Sequence, residues 1–546
     1  MFSAIRVLLF HGYLLRGTGS NVYNASLARA FARLGHEVHL FCQDRVAGSL
    51  PWVDRFGRWL DGRLEIQAAA EGGRAGSIAV YVPDIGGVLP VYVADRYEGF
   101  EVKTFPELTD AELDAYLDAN VAAVREVVES LGGVDAAIAS HLVMGPVILA
   151  RAGLRFAFKV HGSDLSYTVL PHLQRFRPYA EEAASSATGI LVSSAHVAAR
   201  LRQAVDDPQI EAKVRLVPPG VDAELFAPLA REEAAARVLA LAGELGERRV
   251  EPPASIRSMD VRTVRSRDAK PSPDARPAPP SAWARDTGQA AAAMEHFAAA
   301  DGPRVVFVGK LIVSKGMDLL LAAWPLVHRE NPGARLLVVG FGEYELAVRR
   351  LWAALEAARI DEVREIAARG RALEGGPAGA LRMLGAFFDE RPASYGEAAR
   401  GAAGSVAFAG RLEHDEVGRL VPAADALVVP STFPESFGMV AVEAAAAGVL
   451  PVSAEHSGLA EISRTLASEL PSEAGDLVSF PLGDGAVEAI AERVNGWLAL
   501  DPAVRRRARA ALSQTARRLW SWEGVARGVL AASAGRLDDL PPVPRE

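Results

Sequence analysis

The chain has 546 residues, half of them hydrophobic and 23% charged, with a formal net charge of −9 and a single cysteine, Cys42. That length holds more than one domain at about 100–200 residues each. The acidic balance argues against broad nucleic-acid binding, which rests on a basic surface. One cysteine excludes an intrachain disulfide and fits a reducing cytoplasm. The N-terminal run Ile5 to Phe10 is too short and too weakly basic for a secretory signal. No stretch approaches the ~18 uncharged apolar residues of a membrane span. A soluble, cytoplasmic protein is therefore expected, with a peripheral membrane contact left open and the oligomeric state undetermined.

The first 45 residues read as strand, glycine loop, helix, strand. Ile5 to Phe10 is an apolar run. Gly17-Thr18-Gly19-Ser20 follows it, then Leu27, Phe31 and Leu34 at helical spacing, Gly35 as a helix stop, and Val38 to Phe41. This is a βαβ unit, the element of a parallel sheet. Buried strands recur at Ala136 to Ala139, Phe156 to Val160, Gly189 to Val192 and Val214 to Val217. Pro218-Pro219-Gly220 is expected to close a first α/β domain near residue 225. Residues 231–247 read as helix. The proline-rich stretch from Glu251 to Arg285 lacks apolar periodicity and reads as a linker, with Arg257, Arg262, Arg265 and Arg267 solvated.

A second α/β pattern starts at Val305 to Gly309 and continues with strands at Leu336 to Val339, Val406 to Phe408, Leu427 to Val429 and Val449 to Val452. The helical stretch between the second and third is too long for a plain crossover and reads as an insertion. The expected domains are 1–225, Rossmann-like and acceptor-binding; 226–300, a helix and linker; 301–515, Rossmann-like and nucleotide-sugar-binding, with a helical insertion over about 343–404; and 516–546, a C-terminal helix packing back on the first domain. Ligands in such sheets sit beyond the carboxyl ends of the strands, so the post-strand residues deserve scrutiny.

Three segments carry the chemistry. Gly17 to Ser20 lets backbone N–H groups and a helix N-terminus approach a phosphate, but Val22 stands where the dinucleotide fingerprint wants glycine, which disfavours an NAD site. In Gly309-Lys310-Leu311-Ile312-Val313-Ser314-Lys315-Gly316 two lysines can reach a diphosphate, and Lys315 is followed by glycine, unlike a P-loop. In Pro434-Glu435-Ser436-Phe437-Gly438, Glu435 precedes a helix expected to open at Ser436 or Phe437. Glu443 is the one acid in the apolar run Met439 to Ala447. A helix N-terminus holds phosphate, and a carboxylate accepts from vicinal sugar hydroxyls.

Glu435 and Glu443 with seven residues between them, within Pro-Glu-Ser-Phe-Gly and before Ala-Ala-Ala-Ala-Gly, resemble the signature of family 4 retaining glycosyltransferases. Lys310 and Lys315 resemble that family's basic pair, Pro218 to Asp222 its interdomain turn, and Leu34 to Val38 the end of its first helix. The resemblance implies α/β architecture of the GT-B kind, two Rossmann-like domains facing a deep cleft. It also implies transfer of a hexosyl or N-acetylhexosaminyl group from a UDP- or GDP-sugar to an unknown hydroxyl acceptor, with no cofactor and no metal. By resemblance, Lys310 and Lys315 neutralise the diphosphate, Glu443 binds ribose, and Glu435 with the N–H groups of Ser436, Phe437 and Gly438 contacts the donor sugar. Gly19 lies against the distal phosphate and His161 stands near the reacting sugar. The catalytic candidates are thus His161, Glu435, Lys310 and Lys315.

Asp164 reads as a helix cap. His141 and the stretch from Tyr92 to Glu107 are expected on the acceptor side. Two departures stand out: Lys310 where the family has arginine, and His456-Ser457-Gly458 where it has a double glycine. A nucleotide-sugar epimerase of similar fold and a non-catalytic nucleotide-sugar-binding protein are the competing readings.

Overall fold

The computed structural model describes residues 4–69, 75–93, 100–248, 285–389 and 394–544. Residues 251–284 of the stretch expected as a linker, with its four arginines, lie outside these residues, as do positions 94–99 of the expected acceptor stretch.

Two separate sheets organise the chain. In the first, the strands Arg6–Phe10, Glu37–Phe41, Ala136–Ser140, Ala157–Lys159, Gly189–Val192 and Val214–Leu216 are parallel. Their apolar runs are buried on both faces, the pattern a helix-covered parallel sheet requires. Three strands not anticipated from the sequence, Arg55–Leu60, Arg63–Ala68 and Ser77–Val82, extend its far edge, the first two as an antiparallel hairpin. The hairpin's alternation is poor, Arg63–Ala68 being exposed along nearly all its length, whereas Ser77–Val82 is buried. In the second sheet, Arg304–Val308, Arg335–Val339, Val406–Gly410, Ala426–Val429, Leu450–Ala454 and the short Ser479–Phe480 are all parallel. The stretch between its second and third strands contains the helices Glu345–Glu356, Ile360–Arg369, Arg382–Asp389 and Ser394–Gly401.

The helix at the first glycine loop begins earlier than its apolar spacing suggests, at Gly19, and runs to Arg33; Gly35 then adopts φ +89° as the sequence pattern requires. Cys42 is fully buried and its thiol is pushed up by burial and the nearby Asp44 carboxylate. Asp164 corrects an expectation. Its side chain makes no helix-capping bond. It accepts instead from the N–H groups of Gly162, at 3.0 Å, and Leu142, tying two post-strand loops together from a fully buried position.

The chain crosses between the sheets twice, and the crossings touch. Val221 N donates to Trp520 O at 2.7 Å. A Cβ on Gly220 would stand 2.8 Å from the Trp522 backbone and ring, so only glycine allows this contact. The C-terminal region is two helices, Pro502–Leu519 and Trp522–Ser533, broken at Trp520-Ser521. The first packs on Met439–Ala446 of the second unit, whereas the second packs on Gly19–Arg33 of the first. Trp522, 2% exposed, is buried in the first unit's core with Val525 and Val529, and its ring meets Tyr23 edge-on. Trp522→Ala is expected to destabilise the first unit by about 3–5 kcal/mol through the cavity it leaves, measured by urea unfolding.

Candidate functional site

One cleft of about 470 Å³ lies between the two sheets, at the carboxyl ends of their strands. Its walls include Gly19 and His161 from the first unit. From the second they include Lys310, Lys315, Glu435, Ser436, Phe437, Gly438 and Glu443. All nine residues singled out in the sequence therefore border a single space.

The second unit's wall is built around Glu435. Its carboxylate forms an ion pair with Lys315, and Ser431 Oγ donates to the same oxygen at 2.6 Å. Burial disfavours the charge, but Lys315 and the Ser431 bond outweigh it and hold the carboxyl below the usual glutamate range. The backbone is fixed as well: Glu435 N donates to Ser457 Oγ at 2.9 Å, and Gly458 N donates to Glu435 O at 3.0 Å. The departure at His456-Ser457-Gly458 now has a geometry. Ser457 sits at φ +50°, a left-handed conformation that glycine adopts freely, and its hydroxyl receives the Glu435 amide. Gly458 cannot change, since a Cβ there would lie 2.6 Å from Ser436 O. His456 Nε2 bonds Ser431 O at 2.7 Å and closes the ring of contacts.

The following helix opens later than expected. It runs Met439–Ala446 with Gly438 as its N-cap, so Ser436 and Phe437 belong to the preceding turn. Gly438 has φ +109°, and a Cβ would stand 2.4 Å from Leu459 Cδ2. Glu443 falls on the second turn of this helix, 5% exposed, with Oε1 2.8 Å from His414 Nε2. His414 was not singled out in the sequence, because a single histidine in an acidic helix start carries no signal there. Lys315 ends the short turn Val313–Lys315, and Gly316 beyond it has φ +66°; a Cβ would meet Pro430 O at 1.9 Å. Lys310 follows directly on Gly309 after the strand Arg304–Val308.

On the facing wall, Thr18 makes no side-chain cap to the helix Gly19–Arg33, and the helix has no acid in its first turn. A Cβ on Gly19 would meet nothing within 4 Å. The fold does not demand glycine there; its smallness leaves room in the cleft. His161 packs edge-on against Tyr23 with centroids 4.9 Å apart and lies 4.7 Å from the His141 ring. Burial, then His141, Lys159 and His11, push its imidazole well below the usual range, so it is neutral. His141 also borders the cleft, with φ +72°; its Nδ1 lies 4.0 Å from Asp164 Oδ1, and both ring nitrogens are buried without a hydrogen-bond partner. Tyr13 and Tyr92 pack around it.

The units touch across the cleft. Ser194 Oγ donates to Ser436 O at 2.7 Å, Ser436 Oγ donates to His161 O, and Tyr167 stacks on Phe433. Glu461 accepts from Ala195 N and His196 N at the start of the helix Ala195–Ala204, where a carboxylate meets the positive end of the helix dipole. Among the described residues no group of three or more His, Cys, Asp and Glu is placed to hold a metal ion, and no helix is long and apolar enough to cross a membrane.

Breaking the Lys315 pair should cost stability in a pH-dependent way. The Glu435 carboxyl titrates lower in the folded chain than in the unfolded one, so its contribution is present at neutral pH and lost as pH falls through the folded value. Lys315→Met is expected to be destabilised by about 1–2 kcal/mol at pH 7, given the partial exposure of both partners. The deficit should shrink below pH ~4, read from urea unfolding at both pH values.

Residues 302–371 and 389–518 each match the family described as Glycosyl transferases group 1. A D-inositol 3-phosphate glycosyltransferase from Segniliparus rotundus is 31% identical over 229 residues, covering 42% of this chain. The chain spans only 39% of that relative's length. Among solved structures, a sucrose-phosphate synthase from Thermosynechococcus elongatus aligns over 98% of both chains with TM-score 0.54 and 16% identity. HepE from Anabaena, solved with UDP and glucose, covers 98% of this chain and 99% of its own, with TM-score 0.51 and 14% identity. The second α/β unit is therefore a glycosyl transferases group 1 domain, and the chain has the GT-B fold of two facing Rossmann-like units.

Proposed function

We propose that this chain is a family 4 type retaining glycosyltransferase that moves a sugar from a nucleoside diphosphate sugar, UDP- or GDP-linked, to a hydroxyl acceptor. The observation that carries this reading is the convergence of Lys310, Lys315, Glu435 and Glu443 on one wall of a cleft whose other wall holds Gly19 and His161. The name of the Segniliparus rotundus relative and the UDP and glucose bound to HepE support a nucleotide-sugar donor.

Each residue then has a task. Lys310 and Lys315 take the diphosphate, whose negative charge grows as the glycosidic bond breaks; preorganised cations stabilise that charge where it develops. The open helix start at Gly19 approaches the distal phosphate with backbone N–H groups. Glu443 receives the ribose hydroxyls. Glu435, with the N–H groups of Ser436, Phe437 and Gly438, holds the donor sugar. His161 is a neutral imidazole, able to donate one hydrogen bond to a sugar hydroxyl without adding charge. The acceptor hydroxyl enters from the side of Tyr13, Tyr92 and His141 and attacks on the face the leaving diphosphate vacates, passing its proton to the phosphate oxygen. Contact between the units keeps water from competing for the donor.

Binding and hydrolysis measured across UDP-, GDP- and ADP-sugars, followed by an acceptor screen with the donor that binds, tests this reading. Glu435→Ala is expected to lower kcat by roughly 100-fold with the chain still folded, and Lys315→Ala to weaken donor affinity at least about 10-fold. Gly19→Leu is expected to abolish donor binding while leaving the melting temperature unchanged. Unaltered binding and turnover in all three variants would refute the site, and conversion of the donor to an epimer without acceptor would refute transfer.

A further inference from the structure

The contact between His414 and Glu443 goes beyond the roles set out above. His414 opens the helix His414–Leu420. Its Nε2 lies 2.8 Å from Glu443 Oε1, and its ring packs against Phe226 with centroids 5.4 Å apart. Both residues border the cleft. The other acids of this turn are engaged elsewhere: Glu413 pairs with Arg411 and Arg285, and Glu416 with Arg285. The charges facing His414 are therefore Glu443 from the helix Met439–Ala446, Asp415 on its own helix, and Arg29 from the first unit. Arg29 reaches Asp415 across the cleft at 3.7 Å. Burial disfavours the imidazolium, but Glu443 and Asp415 outweigh burial and Arg29 and hold it above the usual histidine range.

We propose that His414 is a positioning residue for the donor nucleotide: it fixes the Glu443 carboxylate through Oε1, leaves Oε2 for the ribose hydroxyls, and offsets the carboxylate's charge beside the diphosphate. This role rests on the donor site proposed above. A charge-neutral pair lets an anionic donor settle nearby, whereas loss of the histidine proton leaves a bare buried carboxylate facing a doubly charged diphosphate. Donor affinity therefore falls as pH rises through the His414 titration. If His414 only filled space, affinity would instead be flat across this range.

The test is calorimetric binding of UDP-glucose, GDP-mannose and ADP-glucose to the full chain between pH 6 and 8.5, for wild type, His414→Gln and His414→Phe. These diphosphate diesters do not titrate in that range, so a pH slope belongs to the protein. For whichever ligand binds, wild-type affinity is expected to fall about five-fold across the range. His414→Gln retains a donor toward Oε1 without the charge. It should bind with a flat pH profile and an affinity between those of the wild type and His414→Phe at pH 6. His414→Phe should be weakest, with thermal melts confirming that both variants fold. A wild-type slope that persists in His414→Gln, a flat wild-type profile, or wild-type affinity in His414→Phe at pH 6 overturns this role. Binding of none of the three nucleotide sugars to the wild-type chain overturns the donor site itself, and this role with it.

Discussion

The site depends on one half-buried carboxylate being kept charged. Glu435 lies at the junction of the two units, where the loops packed around it remove most of its water. Unpaired, such a group would take up a proton and lose its capacity to accept two strong hydrogen bonds. Lys315 prevents this by ion pairing, Ser431 by donating to the same oxygen, and Ser457 and Gly458 by holding the backbone on which the side chain rides. The partners come from three post-strand segments: Lys315 after Arg304–Val308, Ser431 after Ala426–Val429 in the loop of Glu435 itself, and Ser457 and Gly458 after Leu450–Ala454. The parallel order of the second sheet places all of these loops at one edge, so the topology itself assembles the arrangement.

The glycines of this region divide by physical reason. Gly316, Gly438 and Gly458 are demanded by the fold, because a Cβ would collide with neighbouring backbone or with Leu459. Gly19 is not: its surroundings are open, and its lack of a side chain serves the cleft. Ser457 is the converse case, a residue with a Cβ in a left-handed conformation, where the strain is offset by the hydroxyl's bond to the Glu435 amide.

The relation of the two units is set by paired crossings. Val221 and Trp520 run side by side where the chain leaves and re-enters the first unit, and Trp522 anchors the return in that unit's core. Beyond the crossings, the units meet through the Tyr167–Phe433 stack, the Arg29–Asp415 pair and small polar contacts, Ser194 and Ser436 with the backbone across the cleft and Glu461 at a helix start. Such polar contacts are readily exchanged for water.

Sequence by itself determined most of the strands that are buried on both faces, since runs such as Val305 to Val308 and Leu427 to Val429 have no other stable environment; Ser77–Val82, equally buried, is the exception. It also determined the loop at Pro434 to Gly438, because proline fixes φ and glycine permits a conformation other residues avoid. It did not reveal the exposed hairpin Arg55–Leu60 and Arg63–Ala68, whose polar residues lack a two-residue period, or the helix start at Met439, which the left-handed Gly438 delays. Only the tertiary structure decided that Asp164 ties two loops rather than caps a helix, that Ser457 receives the Glu435 amide, and that His414 meets Glu443. The physical reason is common to all three: each brings together segments distant in the chain. Its formation depends on where the sheets place those segments, and local chain preference carries no record of that.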